Sequence, residues 1–327
     1  MRPVFTKLGK YFPAFAKRRN FIIALAALLS AAAVWFGAGL TGGPVGSSMV
    51  RVESPAQLHS YFIGQGYTLQ ALRAGHARVP PVFITSVPDD WAKDLDVARK
   101  KSLFFRTLLP LVLQVNHDIR VNANRLSGLQ NHLLSSGSVP VADRKWLFDL
   151  AANYGVVDRE KADAGKSLSM AQVATLMARV DIVPPSLALA QGAIESAYAQ
   201  SRFAVEGNAL FGQWRFGKGL KPKDQRKALG DYRIATFKTP FDSVRSYAQN
   251  LNTNPAYKIF RQLRSDARKA GETPRGLTLV QGLVSYSERG EAYVDEVRAL
   301  IDFNELAPTD TAFLKGTPPI ELRAGLF

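Results

Sequence analysis

From Phe21 to Leu40 the chain reads FIIALAALLSAAAVWFGAGL, without one charged side chain. The run matches the roughly 20 residues that a helix needs to cross the hydrocarbon core of a bilayer. A transmembrane helix over 21–40 is therefore expected, in preference to a buried core helix. Arg2, Lys7, Lys10, Lys17, Arg18 and Arg19 precede it, and no acidic residue occurs before Glu53. That bias keeps the N-terminus in the cytoplasm and sends the remainder across the membrane. The competing reading is a cleaved leader, whose apolar core usually spans about 7–15 residues before a small-residue cleavage site. Here the run is longer and FGAGLTGG is an imperfect cleavage site, so a retained anchor is favoured.

Charge and composition narrow the chemistry less than they narrow the topology. The formal net charge of +15 combines the basic N-terminus with an excess spread over the body. The latter suits an anionic partner such as a wall polymer, a membrane surface or nucleic acid, but net charge governs solubility and encounter more than reaction type. The basic residues are scattered without a recognised DNA or RNA motif, and an exported domain would rarely meet nucleic acid, so none is expected as a partner. The chain has no cysteine, which excludes disulfides, thiol nucleophiles and thiolate metal sites. His59, His76, His117 and His132 lack ligand spacing, so neither a metal nor a cofactor is expected.

Beyond the basic segment 1–20 and the anchor 21–40, the Gly/Ser-rich TGGPVGSSMV opens a region, 41–88, that reads as a linker or stalk. Segment 89–165 reads as a helical lead-in packed on the next domain. Leu95, Leu103, Leu108, Val112, Val115, Ile119 and Leu126 recur at mixed three- and four-residue spacings, and Pro110 should kink or divide that helix. A second helix is expected over Ala142–Tyr154, and a third from a Ser169 N-cap through MAQVATLMARV. Within a domain at 166–308, Pro184 and Pro185 should open a helix running to about Gln200. A loop bearing Asn208 and Gly212, an insertion from Gly217 to Gly230 and a short strand in DYRIATF follow. Three more helices are expected near Pro240–Leu251, Pro255–Ala270 and Gly290–Asp302, then an irregular tail at 309–327. The fold class is mainly α with one small β hairpin.

The functional question centres on AIESAYAQSRFAVEGNALFGQW, Ala193–Trp214, where Glu195 sits in an alanine-rich helical pattern. Hydrolysis of a glycosidic bond needs an acid protonated near neutral pH, which a carboxyl becomes when lodged against apolar groups. A helical glutamate is more often a solvated or ion-paired surface residue, so the local pattern alone does not decide. Helical spacing places Gln191 and Tyr198 on the same face as Glu195.

The same stretch, through Glu195, Ser196, Ser201, Asn208, Leu210, Phe211 and Gly212, resembles the signature of the glucosaminidase domain of glycoside hydrolase family 73, in its Bax-type branch. ATFKTPFDSVRSYAQNLNTNPAY (Ala235–Tyr257), LVSYSERGEAYVDEVRALI (Leu283–Ile301) and the upstream LFFRTLLPLVLQVNHDI extend the resemblance over roughly 82–306. It implies a lysozyme-like helical domain with a small β lobe, cleaving the β-1,4 bond after N-acetylglucosamine in peptidoglycan. The glycan strands would then be one partner and the bacterial inner membrane the other, with the domain on the extracytoplasmic side. A non-catalytic wall-binding or scaffolding protein of the same fold is the alternative.

Under that resemblance Glu195 is the general acid, and a tyrosine hydroxyl lies near the developing charge, with Tyr286 first choice and Tyr293 second. A second carboxylate would stand about 6.5–9.5 Å away as an inverting base or about 5 Å away as a retaining nucleophile. Asp231 and Asp224, in GKGLKPKDQRKALGDYR (Gly217–Arg233), are the candidates, while assistance by the sugar's acetamido group would need neither. Glu206, before Gly207, reads as an exposed turn residue. Gln191, Asn208, Trp214, Tyr247 and Tyr293 are candidate substrate contacts; Asn208 has the alternative use of bonding its own loop, and Phe211 reads as core. The chain departs from the family at Ala199, where glycine is common, which bears on the local backbone angle.

Overall fold

The computed structural model describes residues 48–89, 91–160, 167–223 and 232–324. The expected membrane span 21–40, Asp224 and Asp231 lie outside them. Among the described residues no helix is long and apolar enough to cross a membrane.

The two ends of the described chain meet. Strands β1 (Ser48–Val52) and β3 (Val82–Ile84) flank β7 (Ile320–Ala324) in an all-parallel sheet of order β1-β7-β3. A second parallel pair joins β2 (Arg78–Val79) to β6 (Phe313–Leu314). Helices α1 (Pro55–Gly64) and α2 (Leu69–Arg73) lie between β1 and β2, capped by Ser54 and Thr68. Where described, the segment expected as a stalk and the tail expected as irregular are thus folded and paired with each other. Strands this short carry little alternation, and what stabilises them is a partner more than 230 residues away in the chain, which no local pattern encodes.

Helix α3 (Val97–Ser136) is the longest element. Asp96 accepts from Arg99 N at 2.9 Å at its start, and Gly137 ends it at φ 72°. The expected stripe is buried from Leu103 to Leu126. Pro110 does not divide the helix. A proline cannot donate to the carbonyl four residues back, and here the Tyr67 hydroxyl donates to that carbonyl, Arg106 O, at 3.1 Å. Tyr67 and Arg106 are both buried. Tyr67→Phe should leave the carbonyl unsatisfied and destabilise the protein by about 1–3 kcal/mol, read as a lower urea midpoint.

Two shorter helices follow, α4 (Val141–Asn153) and α5 (Met170–Arg179). Ser169 opens α5 with a full capping box, its Oγ accepting from Gln172 N while Gln172 Oε1 accepts from Ser169 N.

Helix α6 (Pro185–Ser196) occupies the middle of the molecule and is buried from Pro185 to Ala193. It packs against α3, α10 (Gly276–Leu279) and α11 (Glu291–Phe303). Small side chains permit this: a Cβ on Gly192 would stand 2.8 Å from Leu108 Cδ2. One carboxylate serves two helix starts, Asp310 Oδ1 accepting from Ser186 N at 2.9 Å and Oδ2 from Gly276 N at 2.8 Å.

The helix ends four residues before the expected Gln200. Ala197, Tyr198 and Ala199 all take left-handed angles, at φ 51°, 57° and 61°, a conformation that costs an L-residue roughly 1–2 kcal/mol. Ser196 Oγ donates to Gly192 O at 2.6 Å and accepts from Ala199 N at 2.7 Å, and Trp91 Nε1 donates to Ala199 O at 3.1 Å. The Tyr198 ring meets Phe104 and Phe105 edge-on. Gln191 and Glu195 therefore share a face, whereas Tyr198 leaves it. Ala197→Gly should stabilise the protein by about 0.5–1 kcal/mol, since glycine enters this helix-terminal conformation without steric cost; thermal unfolding would register it.

Beyond this turn lie α7 (Arg202–Gly207), an antiparallel hairpin of β4 (Trp214–Phe216) and β5 (Tyr232–Ile234), α8 (Pro240–Thr253), and α9 (Lys258–Lys269). The described chain is mainly helical with one small antiparallel hairpin, as its sequence pattern led us to expect.

Candidate active site

Glu195 is the penultimate residue of α6, and the left-handed turn behind it carries the chain away from the helix axis. It is partly exposed. The Tyr293 hydroxyl, from α11, donates to its Oε1 at 2.9 Å. Its Oε2 faces Gly212, where a Cβ would lie only 3.3 Å away and where φ is +57°. A side chain at Gly212 would crowd the carboxyl, so glycine there keeps one face of the acid open.

Behind Tyr293 the polar chain continues inward. Gln191 Nε2 donates to the Tyr293 hydroxyl oxygen at 2.9 Å, and the Tyr247 hydroxyl donates to Gln191 Oε1 at 2.6 Å. Gln191 and Tyr293 are 0% exposed and Tyr247 1%, so only the Glu195 end of this chain reaches the surface. The Tyr247 ring lies flat on Phe211, with centroids 3.9 Å apart and planes at 10°.

Burial pushes the Glu195 pKa up to about 7, and the nearby negative charge of Glu296 acts in the same direction; the Tyr293 hydrogen bond and the positive charge of Arg289 oppose it. Its place at a helix C-terminus, where the backbone dipole disfavours an anion, works with burial. Burial and the Glu195 charge drive Tyr247, Tyr286 and Tyr293 well above the ordinary phenol range. These tyrosines stay neutral whenever Glu195 titrates. Such a carboxyl is substantially protonated at neutral pH and can deliver that proton.

The residues singled out from the sequence divide sharply. Glu195, Gln191, Tyr293 and Tyr247 are brought together. Tyr286 lies flat against Tyr293, centroids 5.4 Å apart, but its hydroxyl donates at 3.4 Å to Phe211 O instead of to Glu195. Tyr293, the second choice, makes the direct contact. Gln191, Tyr247 and Tyr293, all expected as substrate contacts, are buried and present almost no surface. Asn208, at φ 51°, closes α7, and its amide is engaged by backbone: Oδ1 accepts from Val87 N at 3.0 Å, and Nδ2 donates to Phe237 O and Lys238 O at 3.2 Å. It holds the loop. Trp214 is half-buried and stacked on Tyr232 at 4.0 Å. Glu206 pairs with Arg202 at the surface, and Phe211 is core.

Sequence reasoning missed Glu296 and Arg289, an ion pair whose charges both reach Glu195. The available signal was spacing, because Glu296 follows Tyr293 by three residues on α11 and so projects from the same side. Elsewhere, a small apolar cavity of about 40 Å³ is lined by Trp91, Phe104, Leu108, Ala199 and Leu322. It lies behind the left-handed turn, and its lining is almost entirely apolar, with the buried Thr107 hydroxyl as an exception. Among the described residues no cluster of His, Asp and Glu could hold a metal ion.

Comparison with known proteins adds two findings. Residues 171–306 match the family model described as glucosaminidase, mannosyl-glycoprotein endo-beta-N-acetylglucosaminidase. The chain is 31% identical over 221 residues to protein bax of Escherichia coli (strain K12), a match covering 68% of this chain and 75% of that one. No solved structure gives a significant match.

Proposed function

The chain belongs to the Bax-type proteins with a glucosaminidase domain, and from that premise we propose that it is a peptidoglycan hydrolase cutting the β-1,4 bond after N-acetylglucosamine. The observation that carries the reading is one carboxyl. Glu195 has its pKa pushed up to about 7, with Oε1 held by Tyr293 and Oε2 against the Gly212 turn. In this reading Oε2 delivers the proton to the leaving glycosidic oxygen as positive charge builds on the sugar ring. Neutral Tyr293 and Tyr286 lie beside that charge without adding one of their own. Trp214 offers a partly exposed aromatic surface for a sugar ring. Asp231 or Asp224, in the insertion of the hairpin, would supply the second carboxylate, unless the acetamido group of the sugar takes its place. The fold in this reading is lysozyme-like. The charge-free run at 21–40 anchors the protein in the inner membrane, with the domain facing the wall from the extracytoplasmic side.

Digestion of purified peptidoglycan followed by mass analysis of the products tests the reaction. New reducing ends of N-acetylglucosamine are expected. Reducing N-acetylmuramic acid would make the protein a muramidase, and intact glycan would favour a wall-binding protein without activity. The pH profile is a further expected result. A general acid must be protonated, so turnover should fall as pH rises through about 7.

A further inference from the structure

We infer that the buried chain Tyr247–Gln191–Tyr293 dictates which oxygen of Glu195 carries its proton, making Tyr247 and Gln191 positioning residues for the acid; this rests on Glu195 acting as proposed above.

The reasoning follows the hydrogens. An amide nitrogen only donates, so with Gln191 Nε2 toward Tyr293 the phenol oxygen accepts. A phenol has one hydrogen, and that of Tyr293 is then committed to Glu195 Oε1. The carbonyl oxygen of a protonated carboxyl accepts a hydrogen bond better than its hydroxyl oxygen does, so donation to Oε1 favours the acidic proton on Oε2, beside Gly212. Turning the Gln191 amide over reverses every step. The amide oxygen would capture the Tyr293 hydrogen, the phenol oxygen would be free to accept, and the carboxyl could hold its proton on Oε1, facing inward.

Tyr247 selects between the two arrangements. Its hydroxyl donates to Gln191 Oε1 at 2.6 Å in a fully buried setting, and the turned amide would leave that hydrogen without an acceptor. Stacking on Phe211 holds the Tyr247 ring in place. The charged and titratable groups around Glu195 come from several elements: Tyr247 on α8, Tyr257 from the 255–257 turn, Tyr286 from the 280–286 turn, Arg289 just before α11, and Tyr293 and Glu296 on α11. The four tyrosines are all raised above their ordinary value, so this wiring persists while Glu195 changes charge.

Tyr247→Phe in the full-length chain tests this, because it removes the hydroxyl and keeps the stacked ring. With isotope-labelled glutamate carboxyls, and Glu195→Gln to identify the resonance, the Glu195 titration should move up by about 0.5–1 pH unit as Tyr293 donation to the anion weakens. Turnover should fall about five- to tenfold, the equivalent of one buried hydrogen bond, with KM within about twofold. In a Tyr293→Phe background, where the donor to Glu195 is gone, adding Tyr247→Phe should move the titration no further. An unchanged midpoint, an additive shift in the double variant, or a raised KM at constant midpoint would overturn the inference. Absence of glycan cleavage by the wild type would defeat the proposed function alone, since the titrations decide the wiring without any turnover.

Discussion

Glu195→Gln is expected to lower the release of reducing ends from purified peptidoglycan by about 10²–10⁴-fold, the range that one positioned proton donor contributes. The substitution preserves shape, and the amide oxygen still accepts from the Tyr293 hydroxyl at the position of Oε1. What it removes is an acid, because an amide has no proton to give a leaving oxygen at neutral pH. The variant should therefore still bind insoluble wall material while failing to clear it in a zymogram. Equal clearing by variant and wild type would remove Glu195 from the mechanism. Binding lost together with activity would point to a folding defect, which the second expected result examines.

That second result concerns stability. Glu195 has a pKa of about 7 in the folded protein against an ordinary value of 4.5. For a carboxyl with a raised folded pKa, the unfolded chain ionises first, so stability is full below about 4.5 and is lost as pH rises through about 7. The loss accrues between those two values and amounts to about 3 kcal/mol once pH passes about 7. Glu195→Gln has no charge to bury. Unfolding by urea should show variant and wild type alike near pH 4, with the variant gaining on the wild type between about pH 5 and 7 and keeping that lead at higher pH. Titrations elsewhere in the protein cancel in the comparison. Parallel curves at all pH values would mean that Glu195 is not held protonated by its surroundings, and the acid role would lose its physical basis. The two results together describe a site in which a carboxyl is kept neutral at the expense of stability as pH rises from about 4.5 to neutrality.

The candidate site was legible from the sequence to the extent that it was local. Ser169 and Pro185 announced two helix starts, because capping and a missing backbone donor act within one turn. The motif around Glu195 singled out the carboxyl proposed as the acid. Ser196, Ser201 and Asn208 belong to that motif, yet each has a backbone role here: bracing the left-handed turn, capping α7 and pinning the loop after it. A motif lists residues without separating those that face a substrate from those that hold a loop. The early end of α6 was hidden because alanine favours helix. Contacts from Trp91 and the Phe104–Phe105 pair, about 100 residues upstream, outweigh that preference.

By itself, the sequence determined the mainly helical class and drew attention to Glu195, because periodicity, caps and a short motif are read over a few turns of chain. Only the tertiary structure decided that Tyr293, not Tyr286, touches Glu195, that Gln191 and Tyr247 lie behind it, and that the two ends of the described chain close one sheet. A hydrogen bond is made or lost over a few tenths of an ångström and a modest change of angle. Residues about 100 positions apart are brought to that tolerance only by the packing of whole helices.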